Sequence, residues 1–316
     1  MLKSVFHIGF MKTGSTFLQN SIFPKANSIF FPRHSNPEET YDFMNEIITI
    51  GELTYSYAHA NRSFNELQLK SPGNLDTLVL SEELLTGDLL YPYTVSTKEY
   101  CHRLKDLDPD AKIIITTRNQ PSMILALYKE YLQLGGTNHL SGFLKKEGVS
   151  QQKLLTDRLN YYYLVKYYED VFGAENVHLT CHEKLLDQAS KVVLDILNFA
   201  SNRNYQSLDL HGLGESDLEL KINVGISQRF LGLARILNKY RKSRLNPGGI
   251  ISTESWRILK AIDRRLNKLH TKTNEQSIPS IILDFSKKHF SESNALLAAS
   301  HPQLELEKMG YPINKN

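Results

Sequence analysis

Three short stretches carry residue types and spacings suited to handling an anion. The first is Gly9-Phe10-Met11-Lys12-Thr13-Gly14-Ser15-Thr16, in which two glycines five apart enclose a lysine and lead into hydroxyl side chains. Glycine lets a backbone turn back on itself, and the free N–H groups at a helix start point toward negative charge. A nucleoside-triphosphate loop reads G-x-x-x-x-G-K-[ST]. Here Ser15 stands where that lysine belongs, and Lys12 comes two residues before Gly14. This is a phosphate loop with its cation moved. The second stretch is Ser81-Glu82-Glu83, a pair of carboxylates able to take a proton from an attacking hydroxyl. The third is Arg118-Asn119-Gln120 with Ser122 close behind.

The elements around these stretches predict one shared location. A buried strand covers Val5–Ile8, and a helix capped by Ser15 or Thr16 runs to Ile22, where Pro24 stops it. Further apolar strands are expected at 28–31, 76–80, 112–117 and 176–181, alternating with helices at 37–50, 97–107, 119–134, 155–172 and 186–200. Residues 51–74 and 135–150 read as polar connections, the first a candidate substrate-side loop. The alternation predicts an α/β fold with a doubly wound parallel sheet. Ligands of such sheets bind outside the carboxyl ends of the strands, so the loop, the acids and the arginine should line one crevice. From about 217 only helices are expected, at 227–242, 254–270 and 279–288. The chain is therefore read as a single domain over 1–316, with its core at about 1–215 and a helical part or lid at about 216–316.

The K-T-G-S-T string between strand and helix resembles the 5′-phosphosulfate loop of sulfotransferases that use 3′-phosphoadenosine-5′-phosphosulfate (PAPS). It is most similar to their soluble bacterial, carbohydrate-sulfotransferase-like branch. The resemblance implies that Lys12 neutralises charge on the departing nucleotide oxygen, while Thr13, Gly14, Ser15 and Thr16 bind the 5′ side. It implies that Arg118 binds the 3′-phosphate, as in the family's R-[ND]-P or R-N-Q segment, with a serine eight residues on. That position is Ala126 here, and Ser122, one helical turn earlier, is the replacement candidate. For the general base Glu82 is taken first and Glu83 second, with helix capping or pairing with Lys12 as the competing role for either. His7, on the strand, is read as a packed residue. Weaker matches are Tyr167–Gly173 with Asn176-Val177, Glu183–Asp187, and Asn223–Ser227, so the resemblance spans roughly residues 4 to 240.

Composition is that of a globular protein, with 41% hydrophobic and 22% charged residues, so neither disorder nor fibre is indicated. A net charge of +3 is too slight to argue for nucleic acid. Cys101 and Cys181 are far apart, which gives neither a disulfide framework nor zinc spacing and fits a cytoplasmic protein. No signal-peptide-like or membrane-spanning apolar run is evident. The leading expectation is a metal-independent sulfotransferase acting on a hydroxyl of a glycan, glycolipid or small metabolite, with that class of acceptor taken by analogy. The alternatives are a P-loop phosphotransferase using ATP and Mg²⁺, in which Ser15 or Thr16 holds the metal, and a nucleotide-binding relative without turnover. Tyrosines at 51–66 and 161–168 are candidates for an acceptor wall, with packing the commoner use of such residues.

Overall fold

A computed structural model describes residues 2–90, 95–145, 151–219, 225–269 and 277–314. Along the chain it places β1 (Lys3–His7), α1 (Ser15–Phe17) running into a π-helical turn (Leu18–Ile22), β2 (Ile29–Phe30), α2 (Pro32–Ser35), α3 (Pro37–Thr49) and α4 (Tyr57–Leu69). Next come β3 (Thr77–Ser81), α5 (Thr97–Leu107), β4 (Lys112–Thr117), α6 (Gln120–Gln133), α7 (Leu140–Lys145), α8 (Gln151–Arg158) and α9 (Tyr161–Phe172). The last are β5 (Val177–Cys181), α10 (His182–Asp187), α11 (Ala189–Ser201), α12 (Leu231–Tyr240), α13 (Ser255–Leu269) and α14 (Ser280–Ser300).

The five strands form one parallel sheet in the order β2-β3-β1-β4-β5. This is the α/β sheet expected from the alternation of elements. Both faces are covered, which is why the strands read as continuous apolar runs. Phe6, Leu78, Leu80, Ile113 and Ile115 face a core built with α3–α6, α9 and α14, while Val5, Val79 and Ile114 face a second core with α1 and α11. β1 lies between β3 and β4, and His7 is in register with Ser81 on one side and Ile114 on the other. The chain reverses its direction of winding here, so the carboxyl end of β1 opens at a topological switch point.

Several helices depart from expectation. The polar stretch 51–74 contains α4, capped by Ser56, which buries Ala60, Phe64 and Leu67. These three lie at helical spacing, and the surrounding Asn, Ser and Gln hid that period. The second connection contains α7, which buries Phe143 and Leu144. The single helix expected over 155–172 is two, broken at Asn160, and the one at 186–200 is preceded by α10. α14 continues twelve residues beyond 288, to Ser300. Its Asn294 exchanges hydrogen bonds with Gln120 at the start of α6, and Tyr311 bonds Thr117 at the end of β4. The C-terminal part thus packs beneath the strand end that carries Arg118.

Candidate active site

β1 ends by feeding the loop 8–14 over the sheet edge. Gly9 is required by packing, because a Cβ there would lie 2.0 Å from Thr116 Oγ1 and 2.7 Å from His7 Nε2. Gly14 is required twice over: its φ is +97°, and a Cβ would meet Leu185 of α10 at 2.8 Å. Lys12 adopts the left-handed region as well, with φ +66°, unusual for a residue with a side chain and of the kind that concentrates at ligand-binding turns. Gly14 occupies the N-cap position of α1 without any side-chain cap, so Ser15 is the first helical residue. This replaces the expected cap by Ser15 or Thr16.

Beneath the loop lies a closed polar network. Thr13 is fully buried, and its hydroxyl donates to Phe10 O at 2.5 Å while lying 2.7 Å from Thr116 Oγ1. His7 joins Ser81 Oγ at 2.7 Å and Thr116 Oγ1 at 3.4 Å, and Gln19 on the π-turn donates to Ser81 Oγ at 2.9 Å. Burial drives the His7 pKa down to about 3, so the ring is neutral. The hydroxyl of Thr13 and the ring of His7 are therefore committed to holding the loop.

Above the loop the groups are charged. Lys12 Nζ pairs with Glu130 Oε2 of α6 at 3.0 Å. Arg118, at the end of β4, donates from Nη1 to the backbone carbonyl of Lys12 and from Nε to Ser122 Oγ, both at 2.9 Å. Its Nη2 makes no hydrogen bond among the described residues. Ser122 also donates to Asn119 O, and Asn119 caps α6 by accepting from Ser122 N. Burial lowers the Arg118 pKa, and the same is true of Lys129 two turns along α6, with Arg118 adding to the lowering there. Two half-buried cations, one of them disfavoured by the charge of the other, mark a place suited to an anion.

The paired acids are separated by the structure. Glu82 accepts from Leu84 N at 3.3 Å as the cap of the short 3₁₀ turn that follows β3, and its other oxygen meets Arg33 Nη1 at 3.3 Å. Glu83 instead turns inward, and burial raises its pKa, helped by the charge of Glu82 and opposed by the Ser15 hydroxyl, Lys12 and Arg33. Ser15 Oγ is itself buried and makes no hydrogen bond of ordinary length among the described residues. The structure therefore brings Lys12, Ser15, Glu83, Arg118 and Ser122 to one edge.

Sequence reading passed over Arg33, Gln19, Lys129 and Glu130. The last two lie seven and eight residues after Ser122, the helical spacing of one face, and that period was the available signal. Nothing comparable distinguishes Arg33 in the Pro32–Ser35 turn. Glu183, part of one weaker motif, accepts from both Asn119 N and Asn119 Nδ2 and thereby supports the cap of α6. Asn223 and Val224 of the 223–227 motif lie outside the described residues. Of the proposed acceptor-wall tyrosines, Tyr161 and Tyr168 are buried, and Tyr161 donates to Arg118 O at 2.8 Å.

No protein-family model matches the chain, and no curated protein sequence does. Solved structures similar to it are sulfotransferases. One from Alicyclobacillus acidocaldarius shares 20% identity over 81% of this chain and 99% of that one, with a TM-score of 0.48. The sulfotransferase domain from the curacin biosynthetic pathway shares 15% identity over 91% and 97%, at 0.45. A mouse sulfotransferase complexed with PAP shares 13% identity over 97% and 87%, at 0.38. Identities and scores this low leave the chemistry to be read from this chain's own residues.

Proposed function

We propose that the chain is a PAPS-dependent sulfotransferase that moves a sulfuryl group to an acceptor hydroxyl. The observation that carries this reading is the placing of two cations on one loop, Lys12 within it and Arg118 bonded to its backbone, beside the buried Ser15 hydroxyl, which faces Glu83 and makes no hydrogen bond of ordinary length among the described residues. Such a cradle has donors for a 5′-phosphosulfate on the loop side and, at Arg118 Nη2 beside Ser122, a donor for a second phosphate. PAPS carries both groups and supplies the activated sulfuryl. Glu83 is the preferred base: its raised pKa suits proton transfer, whereas the Glu82 oxygens are occupied by Arg33 and the Leu84 N–H. In the transfer, Glu83 takes the acceptor's proton, the acceptor oxygen bonds to sulfur, and the bond from sulfur to the nucleotide's phosphate oxygen breaks. Lys12 then neutralises the charge left on that oxygen, which gives the sulfated acceptor and adenosine 3′,5′-bisphosphate.

No metal is invoked, because loop donors, Lys12 and Arg118 supply the charge. A Mg²⁺-dependent phosphotransferase would need Glu82 to give up its partners and would lack the lysine after Gly14. The proposed acceptor is a hydroxyl of a glycan, glycolipid or small metabolite, and the proposed compartment is the cytoplasm, where the two buried, unpaired cysteines would stay reduced. The test is thermal shift with adenosine 3′,5′-bisphosphate. Stabilisation of the wild-type protein that disappears in Lys12→Ala and Arg118→Ala is expected, and no shift with the wild type overturns the proposal.

A further inference from the structure

The helical hairpin made by α12 and α13 carries a face that sulfuryl transfer does not use. Its two arms are tied together at the turn: Ile251 N donates to Tyr240 O at 2.9 Å, Lys242 N donates to Ile251 O at 2.8 Å, and the Arg241 guanidinium lies 4.8 Å from the centre of the Trp256 ring. Around that turn Tyr240, Leu245, Ile250 and Ile251 are all exposed, Ile250 by 86%. α13 then divides into unlike faces. Trp256, Leu259 and Asp263 are buried, and Asp263 accepts from both the amide and the hydroxyl of Ser227. Ile258 and Ile262, four apart and so on one stripe, are 61% and 45% exposed, and Leu266 continues the stripe. Exposed apolar side chains scattered singly need no explanation, but two groups of them on one hairpin do.

Charge selects the occupant. Lys239, Lys242, Arg257, Arg264 and Arg265 are exposed on the same hairpin, and the acids between residues 231 and 266 are Glu254 and the buried Asp263. A second copy packed by two-fold symmetry would set this basic face against itself. An anionic bilayer surface meets both properties at once, with apolar side chains entering the acyl boundary and lysines and arginines at the headgroups. We propose that the α12–α13 hairpin is an interfacial docking surface for membranes containing anionic lipid. This mode lies on the membrane rather than through it, consistent with no helix among the described residues being long and apolar enough to cross one.

The hairpin is also fixed to the site. Asn238 Nδ2 donates to Leu132 O and Arg241 Nη2 to Gln133 O, each at 2.7 Å, at the end of the same α6 that presents Glu130 to Lys12. Docking would therefore bring the cleft to the bilayer surface. The inference does not depend on what the cleft transfers.

The experiment is co-sedimentation of the full chain with vesicles of phosphatidylcholine alone or of phosphatidylcholine with phosphatidylglycerol. Binding to the anionic vesicles is expected, weakened by salt and reduced about tenfold or more when Ile250, Ile258 and Ile262 are all replaced by Ser. These side chains are exposed, so the triple variant should keep the wild-type circular dichroism and melting temperature. Failure to sediment with anionic vesicles overturns the proposal, as does equal binding to neutral ones or wild-type binding by the triple variant. A dimer in solution that the same triple substitution dissociates would also overturn it, by assigning the face to a second copy.

Discussion

The two sides of the 8–14 loop are built from different chemistry. Below it, Phe10 O, Thr13, Thr116, His7, Ser81 and Gln19 form an uncharged chain of hydrogen bonds in which each side chain serves its neighbour. Above it, Lys12, Arg118, Glu82 and Glu83 are charged groups, and parts of them are unspent: Arg118 keeps one nitrogen without a bond among the described residues, and Glu83 is half-buried at a cost to its ionised form. A polar network that is satisfied fixes a conformation, whereas one left incomplete has capacity for a ligand. The loop's shape thus belongs to the lower side and its proposed chemistry to the upper side, and substitutions should separate the two.

The largest effect is expected above the loop. Glu83→Gln should lower kcat by about 10²–10⁴-fold, the usual contribution of a positioned base, while Glu82→Gln should cost far less. Burial raises the Glu83 pKa, and a base works only when ionised, so kcat of the wild-type protein should rise with pH through a value above the usual carboxylate range. Lys12 opposes that rise, so a Lys12 variant with residual activity should show the acid limb displaced to higher pH. Stability moves the other way. A carboxyl whose pKa is raised on folding loses stability as pH climbs from its ordinary value to the raised one, and the full cost is present above it, so Glu83→Gln should melt no lower than wild type at neutral pH. Equal losses from the two glutamine variants would return the proton to Glu82 or to neither.

Below the loop the expected damage is to the fold. Gly9→Ala forces a methyl against Thr116 and His7 and should cost about 1–3 kcal/mol, measured by denaturant unfolding, together with nucleotide binding. His7 supplies a pH signature for the same region. Its pKa is about 3 when folded against an ordinary 6.5, so below pH 6.5 the unfolded chain binds a proton that the folded chain refuses. The stability contributed by the neutral ring is complete above pH 6.5 and falls as pH drops toward 3, by at most about 1.4 kcal/mol per pH unit. A melting temperature that falls over this range in wild type, and less steeply in His7→Asn, would place the titration under the loop.

What could be read in advance follows the same division. Strands β3 and β4 are buried on both faces, so their apolar runs and the polar residues ending them stand out in sequence, and the meeting of Lys12, Glu83 and Arg118 at one edge follows from parallel order alone. The order of Glu82 and Glu83 was not legible. It depends on Arg33, whose position relative to Glu82 comes from the packing of α2 beside β3. The Thr13 hydroxyl reads as a ligand donor from sequence, because its role in a glycine loop is ambiguous until Thr116, 103 residues away, is placed beside it. α4 was missed because polar residues dominate its exposed face while Ala60, Phe64 and Leu67 alone carry the helical period.

Ala126 provides the smallest and most selective test of the upper side. Ser122 and residue 126 lie one turn apart on α6, and Ser122 already turns its hydroxyl to Arg118 Nε. Ala126 is half-buried, and a hydroxyl there would share the orientation of Ser122. If a 3′-phosphate rests against Arg118, Ala126→Ser adds one hydrogen bond to a charged group, worth about 1.5 kcal/mol at the low end for such bonds, or about tenfold in affinity for adenosine 3′,5′-bisphosphate. Adenosine 5′-monophosphate lacks that phosphate and should bind the two proteins alike, so the ratio of the two affinities, read by calorimetry, reports the 3′ side alone. A gain of equal size for both nucleotides would move the contact elsewhere, and a loss confined to the bisphosphate would mean that the phosphate already fills the space of the added hydroxyl.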